Sequence, residues 1–157
     1  MVNFVTPSRY DQSLADKGIS IAVEEAGNYY GTFDVKCYDA FSPFFKVARE
    51  RYDRVHKAAI KLLKSDQEKS IHQFVHLAMF GWSDINDENG PVKFTKELAF
   101  EYLTQTEVGL YVFAELYHQA SNIENFKAVP EEELVEAPEE DPDAVDPMLS
   151  ADTIAKN

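Results

Sequence analysis

The chain has 157 residues, enough for one domain with a core and too few for two ordinary ones. Its 28 acids face 15 Lys and Arg, a formal net of −13, which argues against general affinity for nucleic acid or anionic lipid. A single cysteine, Cys37, excludes an internal disulfide, no run approaches the roughly 18 apolar residues of a membrane span, and no basic start precedes an apolar run as in a signal peptide, so a soluble intracellular protein is expected.

Residues 19–37 read as a β-hairpin. Ile19, Ile21 and Val23 alternate with Ser20, Ala22 and Glu24, and Phe33, Val35 and Cys37 alternate with Asp34 and Lys36. Ala26-Gly27-Asn28 between them suits a reversal that needs positive φ. Helical signals follow. Ser42-Pro43 offers a cap and a proline at the first helical position, and Phe45, Ala48, Tyr52, Val55, Ala59 and Leu62 recur at steps of three and four, predicting a helix over about 43–64. Ser65 and Glu68 have capping-box spacing and open a second helix over 66–80, which Gly81 stops. Trp82 then begins a connector in which Asn89-Gly90-Pro91 must turn. Thr95 caps a helix over 96–104, and Thr106 caps a last one over 107–122. That last helix is apolar around most of its circumference, so it is expected at the centre of the bundle or else covered by another chain, the first being favoured.

The composition changes near residue 127. All 20 aromatic residues precede it, whereas residues 128–157 hold four of the seven prolines and ten acids against Lys156 alone. Such a segment buries too little apolar surface to offset chain entropy, so an acidic disordered tail is expected. The expected fold is mainly α: a bundle of about four helices with a small N-terminal β-hairpin (1–127), followed by that tail (128–157).

Few constellations suggest chemistry. His72 and His76 stand one helical turn apart, but the residues between them are Gln73, Phe74 and Val75, without the glutamate of a zinc-protease motif. They read as ordinary histidines, since neither His56, His118 nor Cys37 has supporting spacing. Asp84, Asp87, Glu88 and Asn89 before Gly90 fail the calcium-loop pattern, because the sixth residue from Asp84 is Asn89 and the twelfth is Thr95. The six glycines are scattered singly, which excludes a Gly-rich phosphate loop, and no nucleophile sits in an elbow. No catalytic residue, metal site or cofactor is expected, and the chain reads as a non-enzyme. One stretch opposes the overall charge. Lys46, Arg49, Arg51, Arg54, Lys57, Lys61 and Lys64 face only Glu50 and Asp53, a local +5, with Glu50–Arg54 and Asp53–Lys57 at pairing distance along a helix. The acidic tail is a candidate to screen this face.

The middle of the chain resembles the tail assembly chaperones of long-tailed, siphovirus-type bacteriophages. The resemblance rests on Gly81-Trp82-Ser83-Asp84-Ile85, then Asp87-Glu88-Asn89-Gly90-Pro91-Val92-Lys93-Phe94-Thr95 leading into a helix, and a closing Ser121-Asn122-Ile123-Glu124-Asn125-Phe126. Lys17-Gly18 before a strand and a Pro-Phe-Phe helix start fit the same order of elements, so the likeness spans roughly residues 14–127. It implies structural motif positions at Trp82, Asp84, Gly90, Phe94, Thr95 and Phe126. It also implies a binding protein that coats the tape-measure protein in the host cytoplasm, helps recruit tail-tube protein with a frameshifted longer form of itself, and is absent from the mature virion. Homo-oligomers are compatible with this. On the last helix, Tyr111, Phe113 and Tyr117 are candidates for the partner surface. Ala155-Lys156-Asn157 is a tripeptide that the slippery sequence A-AAA-AAC encodes, as a −1 frameshift would use. Two other readings compete: a structural virion protein such as a tail terminator or head-tail connector subunit, and an acidic DNA-mimic inhibitor.

Overall fold

The computed structural model describes residues 1–128. Asp11 opens a short helix, α1 (Gln12–Lys17), by accepting from the amides of Ser13 and Leu14. Strands β1 (Ile19–Glu25) and β2 (Asn28–Val35) then form an antiparallel hairpin with Ile21 opposite Phe33. Its turn holds Ala26 at φ 51° and Gly27 at φ 84°, the double positive φ that matches the twist of a tight hairpin. Next come α2 (Pro43–Val55), α3 (Lys57–Lys61) and α4 (Asp66–Ala78). Ser42 Oγ accepts from Phe44 N at 3.1 Å, while Ser65 Oγ accepts from Glu68 N and Glu68 returns to the amide of Lys64.

The chain is not the mainly helical bundle that its spacing suggests. Helix α4 ends at Ala78, and Met79 is already extended, at φ −81° and ψ 137°. Residues Met79–Ser83 form β3, which pairs antiparallel with β2 to give a sheet of order β1-β2-β3, with Phe33 opposite Trp82. Two further short strands, β4 (Asn86–Asp87) and β5 (Gly90–Pro91), make a second sheet. Six α-helices and five strands among the described residues make the fold mixed α/β. Gly81 is therefore not a helix stop: it lies opposite Asp34 in the sheet, where a Cβ would meet that carboxylate at 2.6 Å.

The remaining helices are α5 (Lys96–Gln105), capped by Thr95, and α6 (Gly109–Ser121), followed by a 3-10 turn at Ile123–Phe126. Thr106 does not cap α6; its hydroxyl donates back to Tyr102 O at 2.7 Å, and the helix begins at Gly109 without a side-chain cap. Helix α6 packs on β1, β2, α4 and α5 through its buried Val112, Leu116 and Ala120, while Leu110, Tyr111 and Tyr117 stay exposed. The core joins Val23, Phe33 and Val35 of the sheet to Phe74 and Val75 of α4, Leu103 of α5 and Val112 and Leu116 of α6. The other face of β1 is exposed, as its polar alternate residues require. Of the expected acidic tail, all but Ala128 lies outside the described residues, as does the tripeptide 155–157.

Candidate partner-binding surface

Helix α2 is attached to the body through few side chains. Tyr52 is its one buried residue, and Phe45, half-buried, packs edge-on against Tyr38 at 5.2 Å. The Tyr52 hydroxyl lies 2.6 Å from His72 Nδ1 on α4. Around this bond three imidazoles gather: His76 stacks on His72 with ring centroids 4.3 Å apart, and His56 sits 4.3 Å from His76. Two one-turn pairs, Tyr52/His56 and His72/His76, thus face each other across the helix contact. The expected single helix over 43–64 is interrupted at His56, between α2 and α3, where the ring turns onto His76. No glycine or proline marks the break, so side-chain packing across the helices accompanies it.

Burial, with His76 and His56 close by, pushes the His72 imidazole down to about 4, and burial lowers His76 as well. The Tyr52 hydroxyl is pushed up to about 12 by burial, with Asp53 adding to it. A neutral His72 and a neutral Tyr52 phenol are what this junction accommodates. Among the described residues no group of three His, Cys, Asp or Glu has the arrangement to hold a metal ion.

Outside the histidines runs a groove of about 580 Å³, walled by Phe44, Val47, Arg51, Val55, His56 and Leu77. Its rim continues into side chains that a core would normally cover: Phe41, Phe44, Val47, Val55 and Leu62 are 65–85% exposed. The seven cations from Lys46 to Lys64 are all exposed and, among the described residues, none makes an ion pair. The expected Glu50–Arg54 and Asp53–Lys57 pairs do not form. Spacing alone reveals the basic run. It hides the exposed apolar face, because a stripe at steps of three and four reads the same whether a core or open water meets it.

The residues singled out by sequence lie elsewhere. Trp82, half-buried on β3, donates from Nε1 to Val92 O at 2.8 Å and meets Phe94 edge-on at 5.3 Å. Asp84 holds φ 65° and accepts from Tyr29 OH at 2.7 Å, while Gly90, at φ 124°, closes the β4–β5 hairpin. Thr95 accepts from Leu98 N at 3.0 Å to start α5, and Phe126 is fully buried, its carbonyl accepting from Asp11 N. These six residues tie loops to the body rather than assemble one site. On α6, Phe113 and Tyr117 adjoin each other and Phe74, whereas Tyr111 faces the hairpin, touching Tyr30 and donating to Glu24 O.

The sequence model of the YdaY prophage protein family matches residues 39–137. The chain belongs to that family. No curated protein and no solved structure matches it. A YdaY prophage protein is phage-derived, which agrees with the phage side of the resemblance and does not extend to tail chaperones. Within the YdaY match fall α2 to the 3-10 turn, and with them the groove, the histidines and all nine motif and partner candidates; the hairpin β1–β2 precedes it.

Proposed function

We propose that this chain is a tail assembly chaperone of a long-tailed phage, which binds the tape-measure protein, keeps it soluble and helps bring in tail-tube subunits. The observation that supports the reading most is the uncovered apolar face of α2, with Phe44, Val47 and Val55, on a phage-derived chain of net charge −13. A tape-measure protein is a long helical chain with apolar stripes. A protein that shields those stripes needs an apolar surface of its own and a charged exterior that keeps coated complexes apart. The role is binding, with no bond made or broken and no cofactor. It is exercised in the cytoplasm of the infected bacterium and ends before the virion is complete.

Co-expression with the tape-measure protein encoded beside it tests the reading. The chaperone raises the soluble yield of its client and co-purifies with it. An unchanged yield refutes the role, and so does stoichiometric recovery of this chain from finished particles, which is the mark of a terminator or connector subunit. A longer form made by frameshifting requires A-AAA-AAC at Ala155-Lys156-Asn157; an AAG lysine codon removes it.

A further inference from the structure

We infer that the groove between α2 and α4 takes an amphipathic helix whose flanks are acidic. The inference rests on the chaperone reading for the identity of the client, and adds to it the surface used and the chemistry recognised there. Three observations converge. The groove has the apolar lining that a helix stripe needs, from Phe44, Val47, Val55 and Leu77, and its volume of about 580 Å³ holds several side chains. Helix α2 has 13 residues, about 20 Å of rise, which matches three to four turns of a helix laid along it. Arg51 stands in the wall, Arg54 follows three residues on, and Lys57 and Lys61 extend the positive edge along α3.

The charge decides between occupants. The chain carries −13 in total, yet residues 46–64 carry a local +5 whose cations form no ion pairs among the described residues. A second copy seated face to face would bring two such edges together and be repelled. Nucleic acid would match the cations but leave Phe44, Val47 and Val55 uncovered. An apolar stripe bordered by Asp and Glu satisfies both the lining and the rim.

Two synthetic helical peptides test this. They share one leucine pattern at steps of three and four; one carries glutamates on its flanks and the other lysines. Fluorescence anisotropy against the full chain in 50 mM salt should show the acidic peptide binding at least tenfold tighter, with the margin shrinking in 500 mM salt. Val47→Asp lies on an exposed helix face and should leave the far-UV spectrum unchanged while weakening the acidic peptide at least tenfold. Arg51→Glu with Arg54→Glu should reverse the preference between the peptides. Equal binding of both peptides overturns the inference, as does binding indifferent to Val47→Asp. A dimer in sedimentation that Val47→Asp dissociates also overturns it, because the occupant is then a second copy. The two readings fail separately. Client solubilised by the Val47→Asp protein would sink the groove and leave the chaperone role, whereas acidic-peptide binding without any effect on client yield would do the reverse.

Discussion

Acidification should unfasten α2 through His72. The imidazole is pushed down to about 4 by burial, with His76 and His56 nearby adding to the effect. In an unfolded chain a histidine titrates near 6.5. The native state therefore holds fewer protons than the unfolded state between these values, and stability falls as pH drops through that window. At about 1.4 kcal/mol per tenfold difference in proton affinity, the loss is ~2 kcal/mol at pH 5 and up to ~3 kcal/mol below pH 4. The groups facing His72 are Tyr52 and His56 from α2 and its end, His76 on α4, and Phe100 and Glu97 on α5; Lys96 adds positive charge beside His76. Glu97 opposes the shift and is outweighed. His72→Gln keeps an acceptor for the Tyr52 hydroxyl and cannot be protonated. Urea unfolding of both proteins from pH 7.5 to 4.5 isolates the contribution, since losses from distant carboxylates are common to the two. The variant should be less stable by about 1 kcal/mol at pH 7.5 and should overtake the native chain at about pH 6, where the native loss reaches that size. Parallel profiles across the whole range would refute the argument.

Other substitutions address the sheet and the helix junctions. Trp82→Ala should cost about 2–3 kcal/mol by urea unfolding, below the ~3–5 kcal/mol of a fully buried tryptophan because the ring is half-exposed, and Phe126→Ala should reach that higher range. Gly109→Ala should lose about 1–3 kcal/mol, since a Cβ there runs into the carbonyl of Leu103, a backbone atom that cannot swing aside. Ala26→Asn should gain about 0.5–1 kcal/mol and raise Tm, because asparagine accepts the φ of 51° that alanine resists.

How far the sequence could be read depended on whether each element announced itself locally. The hairpin did, through the alternation of Ile21 and Val23 against Phe33 and Val35 and through Ala26-Gly27. The caps at Ser42, Ser65 and Thr95 did too, because a side chain two or three residues from its amide makes a local bond. Strand β3 did not. Met79-Phe80-Gly81-Trp82-Ser83 follows α4 with no turn residue between, and its strand state comes from pairing with β2 more than 40 residues earlier. Missing it turned a mixed α/β fold into a helical bundle. Helix α1 was overlooked for the opposite reason: six residues hold too little periodicity to register, although Asp11 and Gly18 bracket them. At the candidate surface, spacing singles out His72/His76 but not Tyr52/His56, and only the packing of α2 on α4 brings the two pairs together. Exposure was the least legible property, because Val55 and Leu62 share one apolar stripe with the buried Tyr52 and yet face water.

A helix moored by one buried ring can come away while the sheet stays whole. Once the Tyr52–His72 bond and the Phe45–Tyr38 contact give way, α2 can leave α4, while β1, β2, β3 and α6 keep their own contacts. The molecule thus carries a limb whose detachment costs less than melting the domain, and amide exchange along Phe44–Lys61 should be faster than along β1, β2, β3 and α6. Whatever sits in the cleft is clasped by that limb, so letting go of it need not involve unfolding anything else.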